Sequence, residues 1–174
     1  MTAIHPIYPL IDPMPKAQAD APIGIFDSGI GGLSIAQEIA RHLPKERIVY
    51  YADTAHVPYG PRKDQEIREL TAHAIEWLYR KGCKVAVVAC NTASAFSLDY
   101  LRDHYGENFP IIGLVPALKP AVLQTKSKTV AVLATPATFR GQLIKDVIQR
   151  FALPANVTVI PVTCLDLVPF VESG

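Results

Sequence analysis

The chain has 174 residues, 49% hydrophobic and 19% charged, with a formal net charge of +1. This balance describes a globular chain, long enough for one domain or one domain and part of another, and excludes a disordered one. Lys and Arg are scattered, no apolar run approaches the roughly 20 residues that span a bilayer, and three widely spaced cysteines make neither a disulfide framework nor a zinc motif. The expectation is no nucleic acid, no membrane, no metal, and free thiols in a reducing cytoplasm.

Residues 1–21 are Pro-rich and lack the basic-then-apolar order of a secretory signal, so they read as a flexible extension. After Pro22 the chain alternates short apolar runs with segments of helical period. The runs are "IGIF" (23–26), "IVYYA" (48–52), "VAVVA" (85–89), "PIIGL" (110–114), "TVAVLA" (129–134) and "VTVIPV" (157–162). Their Val and Ile content without alternation predicts parallel strands buried on both faces. Between them, Leu33, Ala36, Ile39, Ala40 and Leu43 make one apolar stripe, and Ile67, Leu70, Ala74, Trp77 and Leu78 another. This order predicts an α/β fold with a doubly wound parallel sheet. A softer break around residues 95–115, with two prolines in "GLVPALKP", predicts a first lobe over 22–95 and a second over 96–174.

In an open α/β sheet, ligands bind beyond the carboxyl ends of the strands. There the chain places "DSGIGG" (27–32), "DTAHVPYG" (53–60), "CNTAS" (90–94) and "TPAT" (135–138), all small and polar. Gly29, Gly31 and Gly32 let backbone N–H groups approach an anion at a helix start. A dinucleotide fingerprint is the rival reading, with Asp53 as ribose-binding acid. It lacks its third glycine, because Ser34 stands there, and Asp27 would bring a carboxylate to the pyrophosphate. A tight turn without a ligand also stays open.

Cys90 ends an apolar strand and leads into a helix. Unsatisfied N–H groups there predict a lowered thiol pKa and a reactive thiolate, serving as nucleophile or proton base. The plainer alternative is a small buried hydrophobe. Asn91 and Thr92 add neutral hydrogen-bonding groups for a charged substrate. His56 is the one histidine on the rim, and no activating base for a Cys–His pair emerges, which favours proton transfer over hydrolysis.

"IGIFDSGIGGLS", "YYADTAHVPYG", "VVACNTAS", "GLVPALKP" and "VLATPATF" together resemble, in order and spacing, the glutamate racemases of the aspartate/glutamate racemase superfamily. The resemblance covers residues 22–174. It implies interconversion of L- and D-glutamate without a cofactor, supplying D-glutamate for peptidoglycan in the cytoplasm, with glutamate as the small-molecule partner and a homodimer left open. It implies two cysteines flanking the α-carbon, Cys90 matching the first and Asp27 polarising it. Asp27 with Ser28, Tyr59 with Gly60, and Asn91 with Thr92 match substrate-binding pairs. Thr135 and Thr138 match threonines that hold the carboxylate, and Glu172 matches an acidic residue near the site.

The family's second cysteine lies in a later "GCTH"-like block with no counterpart here, so the second lobe is expected to be incomplete. Cys83 stands seven positions before Cys90, roughly 20 Å away at the wrong end of the strand. Cys164 follows the sixth strand and resembles a non-catalytic family position. Beside the racemase stands an alternative: a shortened, non-racemising homologue that binds an acidic amino acid or a protein partner.

Overall fold

The computed structural model describes residues 18–174, so most of the extension expected over residues 1–21 lies outside the described residues. Four strands, β1 (Ile23–Asp27), β2 (Ile48–Ala52), β3 (Val85–Val88) and β4 (Ile111–Gly113), form one parallel sheet in the order β2-β1-β3-β4. Two further strands, β5 (Thr129–Leu133) and β6 (Thr158–Val162), pair in parallel as a second sheet. The helices are α1 (Leu33–His42), α2 (Asp64–Arg80), α3 (Asn91–Tyr105), α4 (Leu118–Gln124), α5 (Pro136–Arg140), α6 (Gln142–Val147) and α7 (Leu167–Ser173). All six expected strands are present. The expected lobe boundary after residue 95 falls inside α3, and β4 pairs with β3, so the division between the sheets lies after Gly113.

The first sheet is covered on both faces, as a doubly wound sheet requires. Phe26, Ala86 and Val88 pack with Ile67, Ala74, Ile75 and Leu78 of α2 and Ala93, Leu98 and Leu101 of α3. On the other face Ile23, Ile25, Val87 and Ala89 meet Ile35, Ala36 and Ile39 of α1. The α1 stripe therefore differs from the expected one. At about 100° per residue, Leu33 and Ala40 fall on a flank away from the arc centred near Ile39. Leu43 lies beyond the helix end, and Leu33 and Leu43 are both about half exposed. In α2 the expected stripe holds at Ile67, Ala74 and Leu78, while Trp77 lies edge-on against Tyr51 with Lys81 over its ring.

The second sheet is covered on one face. Val132 packs with Leu118 and Val122 of α4 and Ile144 of α6, whereas Leu133, Ile160 and Val162 are exposed. Burial on both faces was expected for all strands, and among the described residues β5 and β6 have a helix layer on one side only.

The two halves meet through α3. A Cβ at Gly141 would stand 2.5 Å from that of Ala95, so this contact of α3 with the α5–α6 junction needs a residue without a side chain. Arg140 of α5 reaches back across the junction. Its guanidinium pairs with Asp64 at 2.8 Å, donates to the Arg62 carbonyl at 3.1 Å and lies over the Phe96 ring.

Candidate active site

β1 ends in Asp27, and β3 leads directly into Cys90. Because these strands are neighbours, the turn after β1 and the start of α3 share one rim. The Asp27 carboxylate is buried and its Oδ2 accepts from the N–H groups of Gly29 (3.0 Å) and Gly32 (3.1 Å). The glycine-rich turn thus spends two of its donors on its own aspartate, not on an external anion. Ser28 Oγ lies 3.5 Å from Cys90 Sγ. Cys90 is the N-cap of α3, with its sulfur accepting from the Ala93 N–H at 3.4 Å.

The thiol departs from the sequence expectation. Burial pushes the Cys90 pKa up, the Asp27 charge pushes it further, and hydrogen bonds from Ser28 and the Ala93 amide only partly offset them. The helix N-terminus does supply a donor, but 93% of the residue's surface is removed from water, and desolvation of the thiolate wins. Cys90 therefore rests as a thiol.

A second cluster lies at the join between the halves. Thr135 caps α5, accepting from the Thr138 N–H at 3.3 Å, with Pro136 at the first helical position. Its hydroxyl is 2.8 Å from that of Thr92 and 3.0 Å from that of Thr138. Asn91, Thr92, Thr135 and Thr138 line a cavity of about 520 Å³, and Cys164 lines it as well. Cys164 is exposed, whereas Cys83 is core, its thiol pushed up by burial.

Tyr59 is buried, and its hydroxyl donates to Asp53 Oδ2 at 2.6 Å. Burial raises its pKa most, followed by that hydrogen bond and the charges of Asp53 and Cys90, which puts the phenol in the neighbourhood of the thiol. Gly60 abuts Thr135, where a Cβ would come within 3.0 Å of the threonine Cβ. Glu172 on α7 is half-buried, and its carboxylate accepts from the Ile30 N–H at 3.0 and 3.2 Å, tying α7 to the turn after β1.

The structure thus brings Asp27, Ser28 and Cys90 together, and Thr92, Thr135 and Thr138 together, with Asn91 on the cavity and Glu172 on the turn after β1. His56 bonds to Asp53 at 2.7 Å, not to Cys90. Two residues escaped sequence reasoning in these roles. Tyr50 of β2 donates to the Gly29 carbonyl at 3.0 Å, and its pKa is raised by burial and by Asp27, Glu172 and Cys90. Asp53, weighed as a ribose acid, anchors Tyr59 instead. The available signal was the register that sets Tyr50 beside Ile25 and Ala52 beside Asp27. Among the described residues no cluster of three or more His, Cys, Asp or Glu could hold a metal ion, and no helix is long and apolar enough to cross a membrane.

Known proteins resemble this chain over most of its length. The Asp/Glu/Hydantoin racemase family model matches residues 23–167. The glutamate racemase of Deinococcus radiodurans is 58% identical over 163 residues, which are 94% of this chain and 55% of the relative. That of a Roseiflexus species is 48% identical, over 90% of this chain and 57% of the relative. Among solved structures, Escherichia coli glutamate racemase in complex with L-glutamate and the activator UDP-MurNAc-ala superposes with a TM-score of 0.76 at 36% identity, covering 88% of this chain and 57% of that one. The Francisella tularensis glutamate racemase in complex with D-glutamate gives 0.75 at 34%, covering 89% and 57%. The chain spans a little over half the length of the curated relatives it matches. With the family model matching most of its length and a relative 58% identical over 94% of it, the chain belongs to the Asp/Glu/hydantoin racemase family.

Proposed function

We propose that this chain acts as a glutamate racemase, interconverting L- and D-glutamate without a cofactor and supplying D-glutamate for peptidoglycan in the cytoplasm. The observation that carries this reading is the Asp27–Ser28–Cys90 cluster on the rim next to the Thr92–Thr135–Thr138 hydroxyls. The similarity to glutamate racemases supports it. A homodimer belongs to the same reading, supported by exposed apolar residues such as Leu165 and Phe170.

In this reading Cys90 exchanges a proton with one face of the α-carbon. As a thiolate it takes the α-proton: the C–H bond breaks, S–H forms, and the electron pair moves into the substrate carboxylate. Thr92, Thr135 and Thr138 donate to that carboxylate as its charge grows. Asn91, Ser28 and the backbone of Tyr59 and Gly60 hold the rest of the amino acid, and Asp27 and Glu172 keep the turn after β1 in place. A resting thiol is already competent to deliver a proton. The reverse direction first requires its loss, and the nearby Asp27 charge opposes that step. A second base must serve the opposite face. Cys83 is buried in the core, so Cys164, on the shared cavity, is the first to mutate.

One observation favours a second reading, in which the chain binds an acidic amino acid or a protein partner without turnover: the rim cluster holds a single thiol, and it rests protonated. The purified chain incubated with L-glutamate in deuterated water separates the two, read by NMR and chiral chromatography. Slow α-deuteration that disappears in Cys90→Ala, with D-glutamate lagging far behind, is the expected result. Ser28→Ala and Thr92→Ala should each weaken glutamate binding by about 1–3 kcal/mol. Binding without any exchange selects the second reading, and no glutamate binding at all removes both ligand assignments.

A further inference from the structure

The turn after β1, "DSGIGG", carries three glycines in six residues, so its own backbone does not hold it in one shape. Three side chains hold it instead. Asp27 accepts from the N–H groups of Gly29 and Gly32 within the turn, and Glu172 of α7 accepts from the Ile30 N–H. The third is Tyr50, whose hydroxyl donates to the Gly29 carbonyl at 3.0 Å. Among the described residues that carbonyl has no other donor. Tyr50 differs from the other two in its footing. It belongs to β2, pairs with Ile25 of β1, and packs against the cluster of Ile23, Ile25, Val87 and Ala89, so the sheet fixes where the hydroxyl stands. The fit is close: a Cβ at Gly32 would come within 2.8 Å of that oxygen and 2.7 Å of the Asp27 Cβ.

We propose that Tyr50 is a positioning residue for Cys90, acting through Asp27: its hydroxyl holds the glycine turn in the shape that keeps two N–H groups on the Asp27 carboxylate. The ionisable groups gathered here are Asp27 at the end of β1, Tyr50 of β2 and Tyr59 of the loop before α2, with Glu172 of α7 beside Tyr50. Of these, Asp27 bears on the Cys90 thiol and raises its pKa. The two phenols keep their protons, because burial and the surrounding negative charge push both well above the ordinary tyrosine value. Tyr50 therefore acts as a donor and not as a base. A carboxylate that receives two N–H groups has part of its charge met by them, and less is left to act on the thiol. Releasing the Gly29 carbonyl lets the turn relax, weakens those two bonds and leaves more of the Asp27 charge facing Cys90. Without the Tyr50 hydroxyl, Cys90 holds its proton more tightly and becomes a poorer base. This role rests on the reading of Cys90 as the proton-transfer thiol, and it is measured on the thiol itself, without substrate.

The experiment is alkylation of the 174-residue chain by iodoacetamide against pH, followed at Cys90 by peptide mass spectrometry with Cys164 as internal reference. Tyr50→Phe keeps the ring and its packing and removes the oxygen alone. It should move the Cys90 midpoint upward by roughly half a pH unit, the size of a modest hydrogen-bond effect, while the Cys164 midpoint stays where it is. Asp27→Asn should move the Cys90 midpoint down, and the double variant should superpose on Asp27→Asn, because Tyr50 acts through the carboxylate. A mere loss of stability would speed labelling at every pH without moving the midpoint. An unmoved or lowered midpoint in Tyr50→Phe, or a further shift in the double variant, would overturn the proposal. The α-deuteration of glutamate is measured separately on the same proteins. If the unsubstituted chain shows none while the midpoints move as stated, the reaction assigned to Cys90 falls and the role of Tyr50 on the thiol stands.

Discussion

The Cys90 thiol sits where a helix N-terminus and an aspartate pull in opposite directions. Ser28 and the Ala93 amide favour the thiolate, while burial and Asp27 favour the thiol and prevail. A raised pKa means the folded state holds the proton more tightly than the unfolded chain. This stabilisation is fully present below the ordinary thiol pKa of about 8.5 and is lost as pH rises through the folded value. Reactivity follows the same sign. Iodoacetamide should modify exposed Cys164 first, and Cys90 should react slowly at neutral pH, faster only above the ordinary thiol range. Asp27→Asn should move the Cys90 profile to lower pH, because it removes one of the two raising influences. Mass-spectrometric labelling against pH measures this, and a Cys90 rate already level below pH 8 would contradict it.

Among the elements, α5 shows how much one side chain can carry. The Thr135 hydroxyl caps the helix and meets Thr92 across the join, while its Cβ and methyl group abut Gly60. Thr135→Val keeps the shape and loses the oxygen, so it should cost about 1–2 kcal/mol in urea unfolding; Thr135→Ser should recover most of that. Equal stability of the two variants would show that the cap contributes nothing. The strands were readable because buried parallel strands are runs of apolar residues, and the rim was readable because ligand loops follow their carboxyl ends. Sheet membership was not. β4 looks like the start of a second lobe until its pairing with β3 is seen, and no local pattern encodes a partner strand. The α1 stripe was misplaced by one flank for a similar reason, since two arcs of that helix are apolar and only the sheet selects between them. Tyr50 stayed hidden because its contact crosses to the turn after β1, Asp53 because the loop that folds Tyr59 back onto it has no regular period, and the Cys90 pKa depends on a burial that local sequence does not report.

In the whole molecule, apolar exposure is concentrated on the second half. Leu133, Leu153, Leu165 and Phe170 are each more than half exposed, whereas the first sheet is covered on both faces. Exposed apolar side chains favour association where they gather on one surface. The chain should therefore show a mass that rises with concentration in size-exclusion chromatography with light scattering, and Leu165→Ser with Phe170→Ser should shift it towards monomer. A concentration-independent monomer would mean these residues are too dispersed to act together.

The Thr92–Thr135 contact has a further consequence. It is a seam between the two halves, made of the same hydroxyls that the proposed substrate carboxylate would use. A ligand that takes those donors must open the seam, replacing a bond between halves with two bonds to itself. Occupancy and cohesion then compete for one pair of side chains. Variants selected for tighter binding should be looser when empty, and variants that lock the halves together should bind more weakly.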